Sequence, residues 1–128
     1  MDIQFFDEPG GGPKSREDVR IKQIGLFLYE DRRRATLGIE LTPFLERPSV
    51  EVRVRNARGE PAASTNIIDT LVPNFSVIIH LRDAEVTEPY ELTAIVYYAT
   101  PDTERVNVDE RTVSFLASQP GEQIVQFE

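Results

Sequence analysis

Residues 35–42, Ala-Thr-Leu-Gly-Ile-Glu-Leu-Thr, give the clearest indication of fold class in this 128-residue chain. Apolar side chains occupy every second position from Ala35 to Leu41, with polar residues or glycine between them. Side chains two positions apart lie on the same face of a β-strand, so the pattern predicts a strand with one packed face. Pro43 ends the run because proline has no backbone N–H for the next ladder bond.

The same period of two recurs in four later segments, residues 50–55, 75–82, 90–98 and 112–117. An earlier strand is predicted over residues 19–29, but its apolar phase changes near Gln23. One extra residue there indicates either a bulge or an edge strand that crosses between sheets. Residues 57–73 are compatible with a short edge strand or with a helical turn.

Six or seven short strands without an amphipathic helix predict an all-β fold, an antiparallel two-sheet sandwich of about seven strands, with a closed barrel as the alternative. We expect the sandwich domain to span residues 19–118. Residues 1–18 are predicted to be an N-terminal segment with a Gly/Pro linker, and residues 119–128 a C-terminal tail. Both termini are expected to be flexible or to add strands.

The chain is acidic, with 14 Lys and Arg against 22 Asp and Glu and a net charge of −8. This charge disfavours binding to nucleic acid or to an anionic membrane, because both are polyanions. The sequence contains no cysteine, which excludes disulfides and thiolate metal sites. With no membrane span and no basic, apolar leader, we expect a soluble cytoplasmic protein.

Tyr90 precedes the apolar residue Leu92 at the start of a late strand. In this feature the chain resembles the immunoglobulin-like and fibronectin type III-like superfamily. The resemblance implies that Leu92 takes the place of the second cysteine of a disulfide-bonded domain and Leu37 or Ile39 that of the first. The resemblance implies an immunoglobulin-like sandwich in which the Tyr90 hydroxyl bonds to upstream backbone, and it implies no activity. The sequence departs from the pattern in having no tryptophan and no cysteine pair. Residues 31–34 and 41–48 also resemble a small bacterial family without an assigned function.

No residue pattern predicts catalysis, a metal or a cofactor. His80 is the only histidine, and Ser76 stands outside any Gly-x-Ser-x-Gly turn. Gly10–Gly12 lack the strand and helix of a phosphate-binding loop. Four acids are predicted to surround one loop without the ligand spacing of a calcium site, namely Asp102, Glu104, Asp109 and Glu110.

One sheet face is a candidate partner surface. In a sandwich of this kind the third strand lies beside the penultimate strand, which lies beside the last. The outward side chains of these strands would bring together Arg53, Arg55, Ile95, Tyr97 and Leu116. Arg and Tyr are enriched at interface hot spots. The alternative is that the two arginines lie over Tyr97 and neutralise Glu91.

The two ends of the chain carry short apolar segments that could add strands to an exposed sheet edge. Their apolar residues are Ile3, Phe5 and Phe6 at one end and Ile124 and Phe127 at the other.

The sequence therefore predicts a non-enzymatic protein-interaction or structural module. Its partner would be a protein or a second copy, bound through a sheet face or edge. A ligand- or glycan-binding accessory domain that uses Tyr29, Tyr97 and Tyr98 is the alternative, and an enzyme with loop carboxylates comes third.

Overall fold

The computed structural model describes residues 12–127, and most of these residues lie in strands. A turn of 3-10 helix at Arg16–Asp18 precedes the first strand. The strands are β1 (Ile21–Leu28), β2 (Arg34–Leu41), β3 (Ser49–Arg55), β4 (Pro61–Ile67), β5 (Asn74–His80), β6 (Tyr90–Thr100), β7 (Thr103–Phe115) and β8 (Gly121–Gln126).

The strands form two antiparallel four-stranded sheets that pack face to face. The first sheet has the order β5-β2-β1-β8 and the second the order β4-β3-β6-β7. Alternate residues of each sheet meet in one core; Leu37 and Ile39 come from the first sheet, and Val52 and Leu92 from the second. The predicted all-β two-sheet sandwich is confirmed, and within residues 12–127 no strand pairing closes the sheets into a barrel.

The phase change in the first strand is a bulge. The register of β1 against β2 shifts between Ile21 and Gln23, so that Ile21 and Ile24 both face the core, each only 1% exposed. β1 does not cross between sheets, and it is not an edge strand because β2 and β8 flank it. The Asp109 carboxylate of the second sheet accepts a 2.8 Å hydrogen bond from the Ile21 backbone N–H. The bulge leaves the Ile21 N–H without a partner in the β1–β2 ladder, and Asp109 supplies the missing acceptor.

Residues 57–73, for which two structures were predicted, contain the edge strand β4. A tight turn leads into it from β3. The Asn56 side-chain oxygen accepts hydrogen bonds from the backbone N–H groups of Arg58 and Glu60. Gly59 has a φ of +79°, which a residue without Cβ adopts at little cost.

The prediction of a loop that carries Asp102, Glu104, Asp109 and Glu110 is wrong. β7 begins at Thr103 rather than at Thr112, and it forms a long hairpin with β6 whose turn is Pro101 and Asp102, so that only one of the four acids lies in the turn. Residues 103–107 are exposed on both faces, so their sequence shows no apolar alternation. Bulges between Val96 and Tyr97 and between Tyr98 and Thr100 break the period further.

The C-terminal segment adds a strand to its own chain. β8 pairs with β1, and Val125 and Phe127 pack against the core. The sandwich thus continues past residue 118, where we predicted its end. Lys14, in the predicted linker, also contacts the domain, because its N–H donates a 2.8 Å hydrogen bond to the Pro43 carbonyl. The N-terminal candidates Ile3, Phe5 and Phe6 lie outside the described residues.

Tyr90 is fully buried at the start of β6, and its hydroxyl has a hydrogen bond with the upstream backbone of Thr87, as the tyrosine motif implies; it has a second partner in a side chain. The hydroxyl donates to the Asp83 carboxylate, at 3.0 and 3.2 Å from its two oxygens. The Asp83 side chain is only 3% exposed and also pairs with Arg33 at 3.2 Å. The Asn56 side-chain amide donates to it at 3.4 Å. Burial, followed by the hydrogen bond to Asp83, raises the pKa of Tyr90, so the hydroxyl stays a donor.

Replacing residues on the two faces of β8 tests whether this strand belongs to the core. Val125→Ser should lower the free energy of unfolding by about 1–2 kcal/mol, because it removes apolar surface packed against the core. Ile124→Ser is the control, since Ile124 points outward and is 42% exposed. Urea titrations measure both values; equal losses would contradict the pairing of β8 with β1.

Removing the Tyr90 hydroxyl tests the Asp83 cluster. Tyr90→Phe should cost about 1.5–3 kcal/mol of stability, because a buried carboxylate loses a donor. Tyr98→Phe is the control, since the Tyr98 hydroxyl donates to the neutral carbonyl of Glu46. It should cost about 0.5–1.5 kcal/mol. Thermal and urea unfolding measure both, and a Tyr90→Phe protein as stable as the parent would contradict this role of the carboxylate.

Candidate functional site

The predicted partner surface is only partly assembled on the outer face of the second sheet. Arg53 and Arg55 point outward and are exposed. Ile95 and Tyr97 lie on the same side of the sheet but are only 3% and 6% exposed.

Leu116 is not part of this surface. It follows the end of β7 near Tyr90, whereas the cross-strand partner of Ile95 is Glu110. Leu116 thus lies roughly 20 Å farther along β7, at the opposite end of the sheet. The prediction placed it across from Ile95 because it assumed a shorter β7.

Arg105 covers Tyr97. Its guanidinium lies 3.9 Å from the centre of the Tyr97 ring. It also donates a 2.5 Å hydrogen bond to Glu51. The Tyr97 hydroxyl donates to the Asn66 side chain at 2.7 Å, and Arg53 pairs with Glu51. We call these five residues, Glu51, Arg53, Asn66, Tyr97 and Arg105, the Tyr97 cluster.

The polar groups of the Tyr97 cluster form hydrogen bonds and ion pairs with one another. Hydrogen bonds from Arg53 and then Arg105 hold the pKa of Glu51 below its usual value. Arg55 donates to the Gly59 carbonyl at 3.1 Å. Neither Arg53 nor Arg55 takes the predicted place over Tyr97. Sequence reasoning missed Arg105 in this role, although it is the only basic residue between Asp83 and Glu110.

A different exposed surface lies at one end of the sandwich, in the loops over residues 42–48 and 68–73. Two backbone donors of the second loop bond to the first loop and β3, Thr70 N–H to the Pro48 carbonyl at 2.9 Å and Asp69 N–H to the Ser49 hydroxyl at 3.1 Å. Four large apolar side chains of these loops are exposed: Leu45 at 70%, Ile68 at 63%, Leu71 at 70% and Val72 at 52%. We call these four residues the apolar loop end.

Charged residues border the apolar loop end. A cavity of 330 Å³ lies between the same two loops and the β6–β7 turn, and Glu46, Arg47 and Asp69 are among its lining residues. Arg16 pairs with Glu46 at 2.6 Å and lies 4.8 Å from the centre of the Tyr98 ring. An apolar centre with a charged rim of both signs is the usual composition of a protein interface. The sequence signal for it was the group of large apolar residues at 68–72, which follows no period of two.

The three tyrosines considered for glycan binding do not converge. Tyr29 follows β1, whereas Tyr97 and Tyr98 lie near the far end of β6. A groove of 560 Å³ runs beside Phe27, Tyr29 and Arg34. The Arg34 guanidinium lies 4.8 Å from the centre of the Tyr29 ring, so an arginine lies over each of the three rings.

The residues weighed for catalysis and metal binding are dispersed. Ser76 and His80 are four residues apart on β5, so about 13 Å separates them along the strand. That distance is too long for a hydrogen bond between their side chains. Within residues 12–127, no three His, Asp or Glu side chains come together as metal ligands. The same residues contain no helix that is long and apolar enough to cross a bilayer.

Comparisons of the sequence with protein-family models and with curated proteins found no match. A comparison with solved structures found β-glucuronidase chains of Ruminococcus gnavus. The enzyme in complex with C6-substituted uronic isofagomine is 18% identical in sequence to this chain, with a TM-score of 0.45. The match covers 76% of this chain and 15% of the enzyme chain. The apo structure is 19% identical, with a TM-score of 0.42, over the same 76% and 15%. This chain therefore spans about 15% of the length of those chains.

The pH dependence of stability tests the Tyr97 cluster. Because the pKa of Glu51 is lowered in the folded state, its contribution is present above the usual value of 4.5. It is lost as the pH falls through the lowered pKa. Glu51→Gln should therefore cost about 1 kcal/mol at pH 7, and the difference from the parent should shrink below pH 4.5. Urea titrations across this range measure it.

Glu91→Gln is the matched control for this experiment, because Glu91 is an exposed acid on β6, the strand that carries Tyr97. We expect it to change stability by less than about 0.5 kcal/mol at any pH. If the Glu51→Gln protein were as stable as the parent at pH 7, the ion pairs of the Tyr97 cluster would contribute nothing.

Proposed function

We propose that this domain is a non-enzymatic protein-interaction module that associates with a second copy of itself through the apolar loop end. One observation carries the proposal: four large apolar side chains, 52–70% exposed, lie on two neighbouring loops that backbone hydrogen bonds hold in place. Because these loops are already ordered, association costs little further conformational entropy, and burying the apolar side chains from water favours binding.

The charges around the apolar loop end support a second copy as the partner. The rim carries Arg47 together with Glu46 and Asp69, so two copies related by a two-fold axis can place opposite charges against each other. These acids and the net charge of −8 also disfavour insertion of the loops into an anionic bilayer.

The remaining surfaces give weaker support to other functions. The Tyr97 cluster uses its polar groups within the chain, so the outer face of the second sheet offers few groups to a partner. Glycan binding by stacking needs open aromatic faces, whereas Tyr97 and Tyr98 are each 6% exposed.

Measuring mass in solution against protein concentration tests the proposal. Four apolar side chains and their rim are few beside the roughly 20–30 residues per side of a standard interface, so the dimer should be weak and should form at high concentration. The variant L45S/I68S/L71S/V72S should stay a monomer there. Leu116→Ser, at the other end of the sandwich and 36% exposed, is the matched control and should still associate.

Sedimentation velocity over a concentration series measures all three proteins. A parent protein that stays monomeric at the highest concentration would overturn the proposal. A four-fold variant that associates as strongly as the parent would also overturn it, because the dimer would then use another surface.

A further inference from the structure

In a two-layer sandwich the outward face of each sheet is expected to contact solvent. The centre of the outward face of the first sheet is buried instead. Ala35, Leu37 and Ile39 face the core, so Thr36 and Glu40 of the same strand point away from it. Both outward side chains are nevertheless only 2% exposed. The corresponding outward residues of β3 in the second sheet, Arg53 and Arg55, are exposed.

The centre of this face is a trough without side chains. Gly25 of β1 and Gly38 of β2 are direct cross-strand partners, and both are buried. Ile124 of β8 pairs with Gly25 on one side. On the other side Gly38 pairs with Ser76, and the outward Ile78, 55% exposed, lies two residues farther along β5 beside Thr36. Two adjacent glycines flanked by apolar side chains make a recess that fits bulky apolar groups.

Glu40 shows most clearly that something covers the trough. Among the described residues, its carboxylate accepts one hydrogen bond, from the Gln23 side chain at 2.8 Å. A carboxylate on the open face of a sheet, next to residues without side chains, would reach water and remain exposed. Removing a charged carboxylate from water costs free energy. Glu40 would therefore not be buried unless other groups covered it and excluded water.

The chain itself supplies a segment of the right length and position. The Lys14 N–H bonds to the Pro43 carbonyl, which places the first described residues beside the end of β2 that carries Glu40. Residues 1–11 can reach about 36–40 Å when extended. The eight residues of β2 span only about 26 Å. The segment also contains the large apolar residues Ile3, Phe5 and Phe6.

We infer that the outward face of the first sheet is a binding surface for the N-terminal segment of the same chain. The apolar side chains of Ile3, Phe5 and Phe6 occupy the recess over Gly25 and Gly38 and exclude water from Thr36 and Glu40. This binding is to the face of a sheet, whereas β8 binds an edge. It is independent of the apolar loop end.

Thiol accessibility tests this inference, because the chain has no cysteine of its own. In the full chain, Thr36→Cys should react slowly with a bulky thiol reagent. Adding I3S/F5S/F6S should speed the reaction by roughly tenfold or more, because the cover is then open most of the time. Ser64→Cys, on the exposed outer side of β4, is the control and should react at one rate in both backgrounds. A Thr36→Cys rate that does not change would overturn the inference.

Amide spectra of I3S/F5S/F6S in the otherwise unchanged sequence give a readout that needs no cysteine. The shift changes relative to the parent should centre on Gly25 and Gly38. Unchanged shifts there would overturn the inference. Protection of Thr36→Cys that disappears on dilution, together with a dimer that I3S/F5S/F6S abolishes, would show that the segment comes from a second copy and would overturn binding within one chain.

Discussion

A single buried carboxylate, that of Asp83, fixes one end of this sandwich. A charge that is 3% exposed is costly unless donors surround it, and its donors come from three separate segments: Tyr90 at the start of β6, Arg33 after β1 and Asn56 after β3. The two residues before Asp83 are also held by backbone hydrogen bonds, Leu81 N–H to the Arg33 carbonyl and Arg82 N–H to the Ala62 carbonyl. Because all these partners must be in place together, the loops of this end and both sheets are held in one arrangement.

The opposite end of the sandwich is built on a different principle. Its loops are held by backbone bonds such as Thr70 N–H to the Pro48 carbonyl, which leaves the side chains of Leu45 and Leu71 free to point outward. The end that contains Asp83 thus uses its polar groups in hydrogen bonds within the chain. The opposite end has ordered loops that carry exposed apolar side chains. This asymmetry supports the proposal that the domain associates through these loops and not through the sheet face that contains Tyr97.

The sequence predicted the strands in which apolar residues occupy every second position. Residues 35–41 and 50–55 follow this pattern, and the structure places both in strands. The first half of β7 could not be predicted, because residues 103–107 are exposed on both sides and a period of two exists only where one face is buried. The error at Leu116 follows from this missing length. Arg105 was missed because its contacts join residues 54 positions apart in the chain, which no local pattern encodes.

Several arginines of this acidic chain cover aromatic side chains. Four of them lie over aromatic rings: Arg16 over Tyr98, Arg34 over Tyr29, Arg105 over Tyr97 and Arg111 over Phe127. A guanidinium in such a position covers the apolar face of the ring while it keeps its charge. The ring at the edge of the core is therefore shielded from water without an additional apolar side chain. Many of the acids, by contrast, face solvent along β7 and the turns. The net charge of −8 gives the domain a negative external field, which favours partners without a dense negative charge.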